Sequence, residues 1–132
     1  MIGLLAVCVW RGNTYDTISV EDPSWEEVIE AISQLNNRER NDLYLHPEPE
    51  DPEYFLGVCG GDGKYFVSGM DLNESARTWP SPKNAGTRLV KLVAGGQLSE
   101  FEERFVLDLE ETLHAVKCFY DHGGFSDEDN WQ

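Results

Sequence analysis

The sequence predicts an α+β domain, a mainly antiparallel sheet with two helices packed on it. Three observations carry that expectation. Apolar runs of strand length recur between turn signals, two segments switch to helical spacing behind a capping box, and glycine or proline punctuates most junctions.

In chain order, Ile2 to Arg11 is a continuous run rich in Val and Leu, which reads as a buried strand, and Gly12-Asn13 turns the chain. Thr17 to Val20 reads as the returning strand. Ser24 then opens a helix as N-cap, with Glu27 three positions on to close a capping box. Trp25, Val28, Ile29, Ile32 and Leu35 recur on one face of it, and Asn36-Asn37 ends it. Asp42 to His46 is a short strand, followed by the proline-acid loop at 47–53, where three prolines bar a ladder. Tyr54 to Cys59 and Lys64 to Met70 form a hairpin around Gly60-Gly61-Asp62-Gly63. Leu72 to Ala85 reads as irregular, Arg88 to Val93 as a strand broken by Gly95-Gly96, and Glu100 to Leu107 as a further strand. Asp108 caps the last helix with Glu111 as its box partner. Leu109, Leu113, Val116 and Tyr120 make its apolar stripe, Gly123 stops it, and an acidic tail at 125–132 closes the chain.

The 132 residues suffice for a single domain, 1–132, and 40% hydrophobic content with four Trp supplies a core. Charge is lopsided: 25 acids against 10 bases leave a formal net charge of −15. Such a surface repels phosphate, which argues against direct nucleic-acid binding and favours a basic partner. Residues 76–99 are the exception, with Arg77, Lys83, Arg88 and Lys91 and no acid.

Catalytic and metal chemistry find little support. Cys8, Cys59 and Cys118 stand far apart in apolar stretches without CxxC or Cys/His spacing, and read as free thiols suited to a reducing cytoplasm. The apolar N-terminal run has no basic region before it and is too short to span a membrane. The glycines at 57–63 lack the strand–glycine–helix context of a phosphate cradle. His114 and His122 lie two helical turns apart, and a Cys59–His46 pair rests on residue type alone. Neither acidic stretch has the spacing of a calcium loop. The expectation is a non-enzymatic protein without cofactor or metal.

What remains is binding. The expected contact residues are the acidic loop Glu48, Glu50, Asp51 and Glu53, the turn residue Asp62, Trp79, and the tail residues Asp127, Glu128, Asp129 and Trp131. Carboxylates steer a basic partner, and aromatic anchors supply affinity.

Several features resemble the Imm1 immunity family of bacterial polymorphic toxin systems. These are the early helix led by Trp25, the pair Phe55-Leu56-Gly57-Val58 and Lys64-Tyr65-Phe66-Val67 around a glycine turn, and Gly95-Gly96. Arg104-Phe105-Val106-Leu107 and Asp108-Leu109-Glu110-Glu111 follow, then Phe119-Tyr120, Gly123 and the closing Trp131. The resemblance spans roughly residues 20–132 and leaves the first strand unmatched. It implies a cytoplasmic protein that neutralises a cognate toxin, often of deaminase type, as a monomer in a 1:1 complex that occludes the toxin's active site. A deaminase needs an H-x-E and P-C-x-x-C zinc site, which this sequence lacks, so the chain would be the inhibitor. Two alternatives stand beside this one. An SMI1/KNR4-like immunity scaffold suits Trp25 to Glu30 but lacks the Leu-Pro step expected after it; a nucleic-acid mimic or adaptor would have no toxin partner.

Overall fold

Both capping boxes form. In a computed structural model that describes residues 2–132, Ser24 Oγ accepts the N–H of Glu27 at 3.1 Å, and the Glu27 carboxylate accepts the N–H of Ser24 at 2.9 Å. Asp108 and Glu111 repeat the exchange at 2.7 and 2.9 Å. Each box satisfies N–H groups that a first helical turn leaves unpaired. The helices they start are α1 (Trp25–Ser33) and α2 (Leu109–His122), and α2 ends at Gly123, whose φ of 65° is the left-handed C-cap.

The strands are β1 (Leu4–Arg11), β2 (Thr14–Glu21), β3 (Asp42–His46), β4 (Phe55–Gly61), β5 (Lys64–Met70), β6 (Ala76–Thr78), β7 (Leu89–Ala94) and β8 (Gln97–Glu102). The first six make one sheet in the order β2-β1-β3-β4-β5-β6, antiparallel throughout, while β7 and β8 pair as a separate hairpin. The fold is therefore α+β, as the sequence predicts. Asp62-Gly63 closes the β4–β5 hairpin with φ of 56° and 91°, the signs a two-residue hairpin turn of this kind requires.

Strand alternation sends Leu5, Val7, Leu43, Leu45, Leu56, Val58, Tyr65 and Val67 to one face. There they meet Val28, Ala31 and Ile32 of α1 and Ala115, Val116 and Phe119 of α2 in a single cluster. Each fully buried Leu, Val or Phe contributes about 1.5–3 kcal/mol of transfer free energy, so this face sets the register of the sheet.

Part of the opposite face is covered by the β7–β8 hairpin. Phe101 stacks on Phe66 with centroids 4.4 Å apart, and Leu92 is buried beneath. Two side-chain carbonyls hold the hairpin down: Asn37 Oδ1 accepts the N–H of Val93 at 2.7 Å, and Asn41 Oδ1 accepts that of Gly96 at 3.1 Å. Under it lies Asp42, 2% exposed, which accepts Trp10 Nε1–H at 2.8 Å and the Tyr44 hydroxyl at 2.6 Å. In the cross-strand register Asp42 sits between Cys8 and Cys59.

Four sequence expectations change. β2 runs from Thr14 rather than Thr17. Leu72 to Ala85 is not wholly irregular, because β6 forms there; Thr78 exchanges both backbone hydrogen bonds with Gln132 at 2.8 Å, so the chain end supplies a partner no local pattern announces. The strand expected at Glu100 to Leu107 ends at Glu102. A 3-10 turn at Glu103–Phe105 redirects the chain from the outer hairpin to the main sheet, where only Leu107 pairs, with Tyr65. On α2 the buried stripe is Thr112, Ala115, Val116 and Phe119, shifted from the expected one; Leu109 in the first turn is 36% exposed.

Candidate protein-binding site

The antiparallel order puts the end of β2, the start of β1, the end of β3, the start of β4 and the end of β5 at one end of the sheet. Leu4 pairs with Glu21 and His46, Phe55 with Met70, and Met70 with Ala76. Backbone bonds tie the junctions together: Asp22 donates to Gly3 at 2.9 Å, and Gly3 donates to His46 and Pro47 at 3.0 and 3.2 Å. Three segments separated in sequence thereby converge. Residues 21–22 bring two acids, residues 47–54 bring four, and residues 71–77 bring two, with Arg77 the one Lys or Arg among them.

Arg77 is already committed. Its Nε donates to Asp71 at 2.8 Å, and a terminal nitrogen reaches Asp127 at 3.4 Å. The backbone N–H groups of Ser75 and Asn73, together with this guanidinium, hold the Asp71 carboxyl below the usual carboxylate range. Burial holds His46 below the ordinary histidine value, so this ring stays neutral at pH 7 and adds no positive charge to the same end. Glu21, Asp22, Glu48, Glu50, Glu53 and Glu74 remain exposed, and Asp51 is half-buried. The end of the sheet is a carboxylate surface with no compensating cation from those three segments.

The proline-acid loop is built rather than slack. Asp51 N–H donates to Glu48 at 3.0 Å and Tyr54 N–H to Asp51 at 3.2 Å, two successive turns. Pro49 fills the space above Gly3 where a Cβ would stand. Three clefts interrupt the surface nearby. One, of about 790 Å³, opens at the acidic end itself among Gly3, Leu4, Glu21, Asp22, Pro47 and Pro49. One of about 390 Å³ lies to the side on β2 and α1, and one of about 420 Å³ runs between Pro52, Glu53, Phe55, Met70 and Glu74 and combines two carboxylates with apolar walls.

Of the expected contact residues, the structure brings Glu48, Glu50, Asp51 and Glu53 together here and adds Asp127 through Arg77. Glu128 is exposed on the tail. Asp62 is exposed at the opposite end, in the β4–β5 turn. Asp129 faces inward: its carboxylate is 2.8 Å from His122 Nδ1 and lies against the Cys118 thiol, whose pKa is raised, first by burial and then by that carboxylate.

Both tryptophans leave the contact surface. Trp79 is 5% and Trp131 8% exposed, and they meet edge-to-face with centroids 4.8 Å apart. Phe125 packs on Trp131 and on Phe119 at 4.9 Å each, so the tail folds back as an extension of the core. Tethering Gln132 to Thr78 leaves Trp131 nowhere else to go. Its Nε1–H has no partner among the described residues.

Glu21, Asp22 and Glu74 escaped the sequence reading. Placing Glu21 and Asp22 needed the β1–β3 neighbour relationship, which brings residue 22 beside residue 47 across a crossover; Glu74 reaches the same end on the β5–β6 connection, through the pairing of Phe55 with Met70. The basic stretch at 76–99 is also largely internal chemistry: Arg77 pairs with Asp71, Lys83 with Asp108 at 2.8 Å, and Arg88 with Glu103 at 3.4 Å.

The thiols have little nucleophilic character. Burial, followed by the nearby Asp42 carboxylate, pushes both Cys8 and Cys59 up to about 12, and a thiol held protonated is a poor nucleophile. Among the described residues no three His, Cys, Asp or Glu side chains group as metal ligands, and no helix is long and apolar enough to cross a membrane.

No protein-family model matches the chain, and neither does any curated protein. Among solved structures, a hypothetical protein from Neisseria gonorrhoeae is similar in fold. The TM-score is 0.61 over 94% of this chain and 90% of that one, at 12% sequence identity. At that identity the likeness concerns the fold alone.

Proposed function

We propose that this chain is a non-enzymatic cytoplasmic immunity protein of the Imm1 type, which binds a basic cognate toxin as a monomer, 1:1, and occludes its active site. The observation that carries the reading is the convergence of carboxylates from three separated segments at one end of the sheet, with Arg77 neutralised internally. Carboxylates held on turns present the sign of charge that a nucleic-acid-modifying enzyme is built to accept, and they raise the encounter rate with a basic groove. The cleft at Phe55 and Met70 offers apolar contact beside Glu53 and Glu74, where an anchor residue of the partner gains affinity by desolvation. A nucleic-acid-directed toxin, of which a deaminase is the case the Imm1 resemblance implies, meets this description.

The test is co-expression of the chain with the product of the gene immediately upstream. Host survival together with a co-purifying complex supports the reading. Absence of toxicity and of any complex removes the toxin and leaves an acidic mimic or adaptor.

A further inference from the structure

The far edge of the sheet carries a second surface, built from β2 and α1 alone, whatever meets the acidic end. β2 pairs with β1 on one side only. The two-residue loop Gly12-Asn13 makes Arg11–Thr14 the closing hydrogen-bonded pair, so even-numbered residues of β2 bond inward. The N–H and C=O groups of Tyr15, Thr17, Ser19 and Glu21 therefore point out to solvent. Natural sheets protect such edges by shortening them, by bulges, or with Lys and Pro. β6, at the other edge, is three residues long and pairs onward with the chain end through Thr78 and Gln132. β2 is eight residues long, matches β1 residue for residue without a bulge, and contains neither Lys nor Pro.

Apolar side chains on that edge are open as well: Tyr15 is 53% and Ile18 46% exposed. Ile18 and Val20 face the helix side, where with Leu5 and Val7 they floor the cleft of about 390 Å³ beneath α1. The opposite wall is Glu26, Glu27 and Glu30, and no ion pair reaches any of the three among the described residues. Arg40, at the cleft's margin, donates to Gln34 Oε1 at 3.2 Å.

We propose that β2 and the α1 cleft take an extended segment of a partner protein, alternating basic and apolar residues, as a seventh strand. The open backbone groups require an extended chain; the side chains it turns toward α1 lay aliphatic stems over Ile18 and Val20 and set basic ends beside Glu26 and Glu30, while the alternate, apolar ones lie on the other face with Tyr15. A second copy of this chain is a poor occupant, because pairing two β2 edges would bring two sets of Glu26, Glu27 and Glu30, and two copies of Asp16, toward each other.

The probe is a fluorescein-labelled peptide, Lys-Val-Lys-Ile-Lys-Val-Lys, followed by anisotropy near physiological ionic strength. Its control has the same composition in blocks, Lys-Lys-Lys-Lys-Val-Ile-Val. The alternating peptide binds at least about tenfold tighter than the block peptide, and Glu26→Lys with Glu30→Lys removes that preference. Thr17→Pro abolishes it too, since proline on an edge strand removes a solvent-facing N–H without breaking the ladder to β1. Should Thr17→Pro fail to fold, two N-methylated peptides decide: methylation at the lysines in one, at the apolar residues in the other. Strand addition requires that one of them lose binding. Equal binding of alternating and block peptides overturns the proposal, as does retained binding by both methylated peptides, or a dimer of the free chain that masks the edge.

Discussion

Arg77 donates its Nε–H to Asp71 at 2.8 Å, and that bond decides the electrostatics of one whole end of the sheet. With the guanidinium turned inward, the exposed carboxylates on the β2–α1, β3–β4 and β5–β6 connections are left without a cation from their own segments. The same pair pins the β5–β6 turn, since Asp71 also accepts the N–H groups of Asn73 and Ser75 at 2.9 and 3.0 Å.

Acid sensitivity follows from that pair. The folded-state pKa of Asp71 lies below its ordinary value of 3.8, so the pair's stabilisation is fully present above that value and is lost as pH falls through the folded one. Asp108, lowered by the Glu111 backbone and then by Lys83, acts in the same direction. Asp71→Asn is expected to be less stable than wild type at pH 7, with the gap closing below about pH 4; urea midpoints measured across pH 2.5–7 read this. A gap unchanged down to pH 2.5 would contradict it.

The N-cap of α1 predicts a modest loss. Ser24→Ala removes the oxygen that accepts Glu27 N–H and is expected to cost about 1 kcal/mol, while Ser24→Asp costs less than half of that. Equilibrium denaturation resolves the difference, because the slope with denaturant should be unchanged.

The Trp131 anchor predicts a larger one. Trp131→Ala empties a site against Trp79 and Phe125 and is expected to cost about 3–5 kcal/mol. Trp131→Phe should retain most of the stability, since the indole N–H has no partner among the described residues for the change to remove. A double-mutant cycle of Trp79 and Trp131 should give a coupling of about 0.5–1.5 kcal/mol. Deletion of residues 125–132 is expected to destabilise the domain by more than Trp131→Ala, and thermal melts of the truncated chain would show it.

Legibility from sequence divided along physical lines. Local signals were readable: capping boxes at Ser24 and Asp108, the glycine turn expected at 60–63 (of which Gly60 and Gly61 extend β4 and Asp62-Gly63 closes the hairpin), the Gly123 stop and the alternation of β4 and β5 each depend on residues within one turn or hairpin. Features fixed by distant partners were not. β6 exists because Gln132 pairs with Thr78. The docked tail follows from the same contact, and the acidic end emerges only when β1 is known to lie between β2 and β3. The acidic loop was visible as composition, yet its neighbours Glu21, Asp22 and Glu74 were hidden by sequence distance. Asp62, equally acidic, falls at the opposite end because β4 separates it from the loop by the length of one strand.

That opposite placement supplies the most direct test of the account. The measurement is the association rate of the complex with the upstream gene product at two salt concentrations. Wild type is compared with a Glu48→Lys, Glu50→Lys, Glu53→Lys variant and with Asp62→Lys. The account predicts that the triple variant associates more than about tenfold slower and loses most of its salt dependence, while Asp62→Lys stays near wild type. Equal effects from both ends, or an association rate indifferent to the triple change, would contradict the claim that this end of the sheet meets the partner.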